Sequence, residues 1–492
     1  VAAGLSGDSG WILTAATLVV AGLLLVPGWI VGRAARLAAL PSLAVAPALD
    51  SAIIAAAEIL AHTLALPWLP WGWAVIAGLT AVLALMARLI VGAPPEHARR
   101  AASPGRAEWA ILAAGLSVAV ALPAGVILSV LPSPGYPAQA FDATFHLNAV
   151  AAIREGGNAS MLGGLSALYS GRAVYYPTVW HGVVALAPGS PAPVSTAGVL
   201  ALTAVVWPLS LLGLLARSTG LDATRASEMD RVRRRQRACA VAAVLALSAA
   251  VVGFPLLPMT ALAVWPYALS VAGLPGVLVL YDQLRQETAS WRLRLTLVLL
   301  TLAAAGGVVA AHGTGLFNLA VLSPPFLVNL LVSRWRRCAA RPGGRALLVA
   351  AAVASVLVLV VGAWVMRASL ASVLGYQRPA GGVGGIVATL GQALIDLPMY
   401  GAVPGASVPV GIVFGGLTLG AAWSARAQRD QRPWLVMWLL SLLLVVLVGG
   451  PQWAGRQLGA PWYLQKARIL PLVILPALVL MAVSYTHLTL PT

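Results

Sequence analysis

WILTAATLVVAGLLLVPGWIV, from Trp11 to Val31, decides the fold. The run carries no charge, and about 20 apolar residues in a helix span the hydrocarbon core of a bilayer. Arg33 and Arg36 follow at once. The same unit, an apolar run closed by arginines, recurs along the chain. Of 492 residues, 60% are hydrophobic and 9% are charged, where a soluble chain carries about 25% charged residues. Too little polar surface exists to cover a water-soluble globule. That excludes soluble enzymes, secreted disulfide modules and disordered regulators. The expected fold is all-α, a polytopic transmembrane helix bundle.

Apolar segments lie at 11–31, 38–64, 72–91, 109–131, 194–215, 238–254, 262–281, 295–311, 315–332, 346–365, 406–423 and 434–450, with another starting near 468. That makes about 13 spans. The chain divides into spans 1–4 (1–131), an outer loop (132–193), spans 5–10 (194–365), a second outer loop suited to a lid (366–405) and spans 11–13 (406–482). The last ten residues, VSYTHLTLPT (483–492), read as one frame of a common transposon-type sequencing adaptor. They are expected to be foreign, with the native chain continuing beyond them.

Charge orients the bundle. Lys plus Arg is 31 against 14 for Asp plus Glu, and Lys466 is the only lysine. Basic loops follow every odd-numbered span, as with Arg99, Arg100 and Arg106, or Arg334, Arg336 and Arg337. The positive-inside rule makes those loops cytoplasmic and the amino terminus external. Arginines scattered over short loops argue against nucleic acid as a partner. Cys239 and Cys338 have no metal-ligand spacing. The expected location is the plasma membrane.

The first outer loop holds the best constellation, FDATFHLNAVAAIREGG from Phe141 to Gly157. Phe141, Phe145, Ala149, Ala152 and Ile153 recur at helical spacing. Asp142 and His146, four apart, share a face. A carboxylate beside an imidazole can take a proton from a hydroxyl or hold a divalent cation. Equally, Asp142 can serve as the helix N-cap. Tyr175, Tyr176 and Trp180 then precede His181; aromatic faces stack on sugars or anchor at headgroups. In the second span, Asp50, Glu58 and His62 fall within about 120° of one another on a helix. Ionisable residues at that depth face protein or water rather than lipid. His312 stands in an outer turn, AHGTG. In the third outer loop Trp462, Tyr463, Lys466 and Arg468 suit a belt or a headgroup site.

This order resembles the GT-C superfamily: an outer-loop acid, a His four residues on, a helix ending in Gly, then Tyr-Pro and a further His. These are polytopic glycosyltransferases using lipid-phosphate-linked sugars, such as oligosaccharyltransferases and protein mannosyltransferases. PWYLQKARILPL (461–472) is a second point of similarity. The chain also resembles a family of actinobacterial polytopic membrane proteins. The GT-C resemblance implies sugar transfer from a polyprenyl-phosphate donor to a glycan, lipid or protein acceptor at the outer face. It implies that Asp142 activates the acceptor or holds a metal, with His146 beside it. It implies that His146 and His181 contact donor phosphate or acceptor and that Arg468 pairs with the lipid phosphate. Tyr175, Tyr176, Glu58, His62 and Tyr463 join them as candidate substrate contacts from their own chemistry and position rather than from the resemblance. In that superfamily the acid usually follows the first span; here it follows the fourth. A transporter or flippase for an envelope precursor is the rival reading, with Asp50, Glu58 and His62 as a proton path. A non-catalytic assembly partner is a third.

Overall fold

A computed structural model describes residues 7–92, 104–222, 228–286, 290–338, 344–346, 367–397 and 407–488, with scattered residues between 349 and 364. Most of the expected span at 346–365, and the loop arginines Arg99 and Arg100, lie outside the described residues.

Helices follow one another from end to end. They are α1 (Gly7–Leu23), α2 (Val26–Ala34), α3 (Ala39–Thr63), α4 (Trp68–Val91), α5 (Arg106–Val130), α6 (Phe141–Gly156) and α7 (Val179–Ala185). After these come α8 (Pro191–Ser218), α9 (Glu228–Ala250), α10 (Val252–Met259), α11 (Trp265–Gln286), α12 (Trp291–Ala311), α13 (Gly315–Leu322) and α14 (Pro324–Cys338). The remainder are α15 (Arg367–Leu374), α16 (Gly384–Leu394), α17 (Ser407–Ala425), α18 (Arg432–Gly449) and α19 (Lys466–Leu488). Among the described residues, ten helices are long and apolar enough to cross a membrane, and up to 12 if each bent pair is one span. Among the described residues only an isolated bridge, Leu162 to Tyr175, has strand character. The chain is an all-α polytopic bundle.

Two apolar helix pairs are sharply bent, each near a proline. The α9–α10 pair bends by 54° and the α13–α14 pair by 52°. Pro255 and Pro324 lie at or beside the breaks; proline supplies no N–H to a helix ladder. At the first break Asp396 accepts from the Val252 amide (2.6 Å) and the Gly253 amide (3.0 Å). Groups freed at a break must be satisfied within the protein.

The hub is α3, packed against α2, α4, α8, α11 and α12. Its alanines and its neighbours' glycines allow the close approach, since association in lipid rests on packing rather than on expelled water. A Cβ at Gly276 of α11 would lie 2.6 Å from both the Ala44 carbonyl oxygen and Val45 Cα. Gly276→Leu is therefore expected to cost about 1–3 kcal/mol. The check is a lower Tm for the detergent-purified variant; an unchanged Tm would remove α3 from the centre of the packing.

Charges gather at one end. Arg217, closing α8, donates to Asp282 near the end of α11 (2.7 Å) and pairs with Asp222 (3.2 Å). Arg285 reaches Asp430 (3.7 Å), in the turn before α18. Arg36 bonds the Gly92 carbonyl, joining the loops after α2 and α4. These are the span ends that the arginine alternation places on one side. The opposite ends carry the candidate site.

Candidate functional site

One face of α6 is buried through Ala143, His146, Ala149, Val150 and Ile153. Gly157 ends the helix with φ +65°, and its carbonyl accepts from the Trp68 amide (2.7 Å). Arg154 holds the next short helix, donating to the carbonyls of Ala185 (3.0 Å) and Ala187 (2.6 Å) at the end of α7. The Trp68 indole bonds the Gly182 carbonyl (2.9 Å). Thus α6 and α7 are fixed as one unit on the ends of α3 and α4. The helix begins after Ala140, whose side chain makes no cap bond. Asp142 lies in the first turn and does not act as N-cap, which corrects that reading.

A file of polar groups runs inward from Asp142. His146 Nδ1 meets His181 Nε2 at 2.9 Å. The pair is boxed by aromatic rings: Trp265 lies 5.3 Å from His146, Trp180 5.3 Å from His181 and Tyr176 5.7 Å from His181. Burial holds His146 down to about 3, and the Arg468 charge adds to this. Burial, then His146, holds His181 well below its ordinary value. Both rings are neutral at physiological pH, so one nitrogen donates and the other accepts. Deeper still, the Thr178 hydroxyl donates to Glu58 Oε2 (2.8 Å). Glu58 Oε1 has no hydrogen-bond partner and abuts Gly182, where any side chain would collide with it.

At the mouth of the file, Arg468 Nη2 reaches Asp142 Oδ2 at 3.5 Å, across 326 residues of sequence. Arg468 Nε donates to Gln465 Oε1 (2.7 Å). Its guanidinium lies 4.7 Å from the Tyr463 ring and 5.9 Å from the Tyr267 ring. The Tyr267 hydroxyl bonds the Arg468 carbonyl. His312 is half-buried, edge-on to Tyr267 (5.6 Å), and accepts from the Thr314 amide (3.2 Å). Burial holds it to about 3, with smaller contributions from the charges of Arg468 and His146. Burial raises Asp142 above the usual carboxylate value, and Arg468 opposes that rise. The side chain of Asp142 is 37% exposed and that of Arg468 11%, whereas His146 is 4% exposed. Asp142 is thus the most accessible member of the file, Arg468 is largely covered, and His146 and His181 lie buried behind them.

The other expected residues divide. Tyr176 packs 4.9 Å from Phe145, and Tyr463 flanks Arg468. Tyr175 is exposed and pairs in the bridge with Leu162. Asp50, Glu58 and His62 do not form one file, contrary to the helical-wheel reading. Asp50 is buried and accepts from the Gly28 amide (2.5 Å), Glu58 joins α7, and His62 is exposed in the last turn of α3. Among the described residues no three His, Cys, Asp or Glu side chains gather as a metal ion would require. The two histidines turn nitrogens toward each other, and the carboxylate turns to Arg468.

Sequence reasoning missed Trp265 and Tyr267 and gave His312 less weight. The segment WPY at 265–267 echoes the Tyr-Pro segment of the first outer loop. That echo was the available signal.

Apolar spans, charges at one end and a polar file at the other define a multi-pass membrane protein with a partly exposed carboxylate–guanidinium pair. The chain belongs to the family of unknown function DUF6541, whose model matches residues 21–489. No curated protein and no solved structure matches it.

Proposed function

We propose that the chain is a membrane glycosyltransferase of GT-C type. It would move a sugar from a polyprenyl-phosphate donor to a cell-envelope glycan, lipid or protein on the outer face of the plasma membrane. The observation that carries this reading is the meeting of Asp142 and Arg468 at 3.5 Å, at the ends of the spans away from the clustered arginine loops. An acceptor hydroxyl attacks the anomeric carbon and gives its proton to Asp142. The bond from that carbon to the phosphate oxygen breaks, and its electron pair leaves with the polyprenyl phosphate. Arg468, a planar cation stacked between tyrosines, offsets the charge left on that phosphate. The neutral His146–His181 pair sets the position of α6, and so of Asp142.

The proton path of the rival transporter would need Asp50, Glu58 and His62 in line, and their separate surroundings give it no support. The reading is tested with full-length protein in proteoliposomes supplied with labelled polyprenyl-phosphate sugars and envelope extract. Label should pass from the lipid fraction to an acceptor. Donors that all remain intact would leave a transporter or an assembly partner as the better description.

A further inference from the structure

A cavity of about 240 Å³ lies beside the Asp142–Arg468 site. Arg378, Arg456, Lys466, Gln465 and two glycines, Gly381 and Gly385, contribute to its wall, and no carboxylate does. Arg456 is 2% exposed. Its guanidinium donates to the carbonyls of Val448 (3.1 Å), Arg378 (2.8 Å) and Pro379 (2.9 Å) and to Gln452 Oε1 (3.1 Å). All four acceptors are neutral. Lys466 Nζ reaches Gln392 Oε1 (3.0 Å) and Thr389 Oγ1 (3.4 Å), again neutral. Among the described residues no ion pair joins Arg378, Arg456 or Lys466.

A buried cation without a counter-charge is costly, and a nearby like charge makes it more so. Burial, then the Arg378 charge, pushes the Arg456 guanidinium below its ordinary value. The first turn of α19 also lines the cavity through Lys466 and Ala467. First-turn amides have no intrahelical acceptor, and the helix dipole there favours an anion. A Cβ at Gly381 or Gly385 would strike the Gly449 carbonyl. The glycine-rich loop is thus laid directly on the end of α18, forming a built wall.

We propose that this cavity binds a phosphate-bearing anion. Arg378, Lys466 and the first turn of α19 face the anion, and buried Arg456 supplies charge behind them. The site stands whether or not sugar is transferred. Gln465 connects it to the first site, since it lines the cavity and its side chain holds Arg468. The anion is either a lipid headgroup or a soluble phosphate compound.

Two probes separate those sources, each used on an Arg468→Gln background that removes the phosphate contact of the first site: inorganic diphosphate titrated calorimetrically into detergent-purified full chain, and polyprenyl phosphate in phosphatidylcholine nanodiscs. Saturable binding of at least one is expected. Diphosphate binding identifies a soluble ligand, and binding of polyprenyl phosphate alone identifies a headgroup. The double variant Arg378→Gln/Lys466→Gln should weaken it by about tenfold or more. The charge-preserving pair Arg378→Lys/Lys466→Arg should retain most of it, and Asp142→Asn should leave it intact. If the double variant fails to fold, Lys466→Gln alone carries the comparison. No binding of either probe, or equal binding by a glutamine variant that elutes as wild type, overturns the proposal. Binding by wild type that transfers sugar from none of the supplied donors would sink the transferase reading and leave this site standing.

Discussion

Asp142→Asn is expected to lower sugar transfer by about 10²–10⁴-fold, the contribution of a well-placed general base. Asparagine keeps the shape and the reach toward Arg468 but cannot take a proton. The pH dependence identifies the group. Asp142 works as a base when ionised, so activity should rise with pH through its folded value. Burial raises that value, and Arg468 lowers it in part. The acidic limb of the wild-type kcat/KM profile should therefore lie above about 3.9, the ordinary aspartate value. A wild-type rate in Asp142→Asn, or a limb unmoved from the ordinary carboxylate range, would assign the base elsewhere.

Arg468→Gln is expected to reduce transfer by about 10²–10³-fold, the usual loss when one preorganised donor to a developing oxyanion is removed. It should also move the acidic limb further up in pH. The sign follows from the charge: without the cation, nothing offsets the burial that favours protonated Asp142. Arg468→Lys should recover only part of the rate, because an ammonium lacks the planar fork and fits less well between Tyr463 and Tyr267. Rates and pH profiles measured on the same membranes separate the two effects. A rate loss with no movement of the limb would mean that Arg468 acts on the phosphate without sensing Asp142.

The bundle was legible because its signals are local. Apolar runs and closing arginines are read one segment at a time, and the contacts of Arg217, Arg285 and Arg36 bear out the common end of those loops. The Asp142–His146 spacing was legible for the same reason. The helical wheel places Asp50, Glu58 and His62 in one sector but gives angle without the identity of the neighbours. Only packing shows that Asp50 meets Gly28 and Glu58 meets Thr178 while His62 faces outward. Trp265 and Tyr267, at the start of α11, and His312, just after α12, were hidden because their meeting depends on how α11 and α12 close around α3. The third-loop basic residues looked alike in sequence. In the fold Arg456 is buried among carbonyls, Lys466 faces neutral partners and Arg468 alone joins Asp142.

The most direct measurement is a double-mutant cycle on transfer, comparing wild type, Asp142→Asn, Arg468→Gln and the double variant at equal membrane protein level. Residues that act as a unit are strongly non-additive. If Asp142 and Arg468 form one site, the double variant should be little slower than the slower single variant. Losses that multiply, or a wild-type rate in Asp142→Asn, would contradict the single site on which the proposed transfer rests.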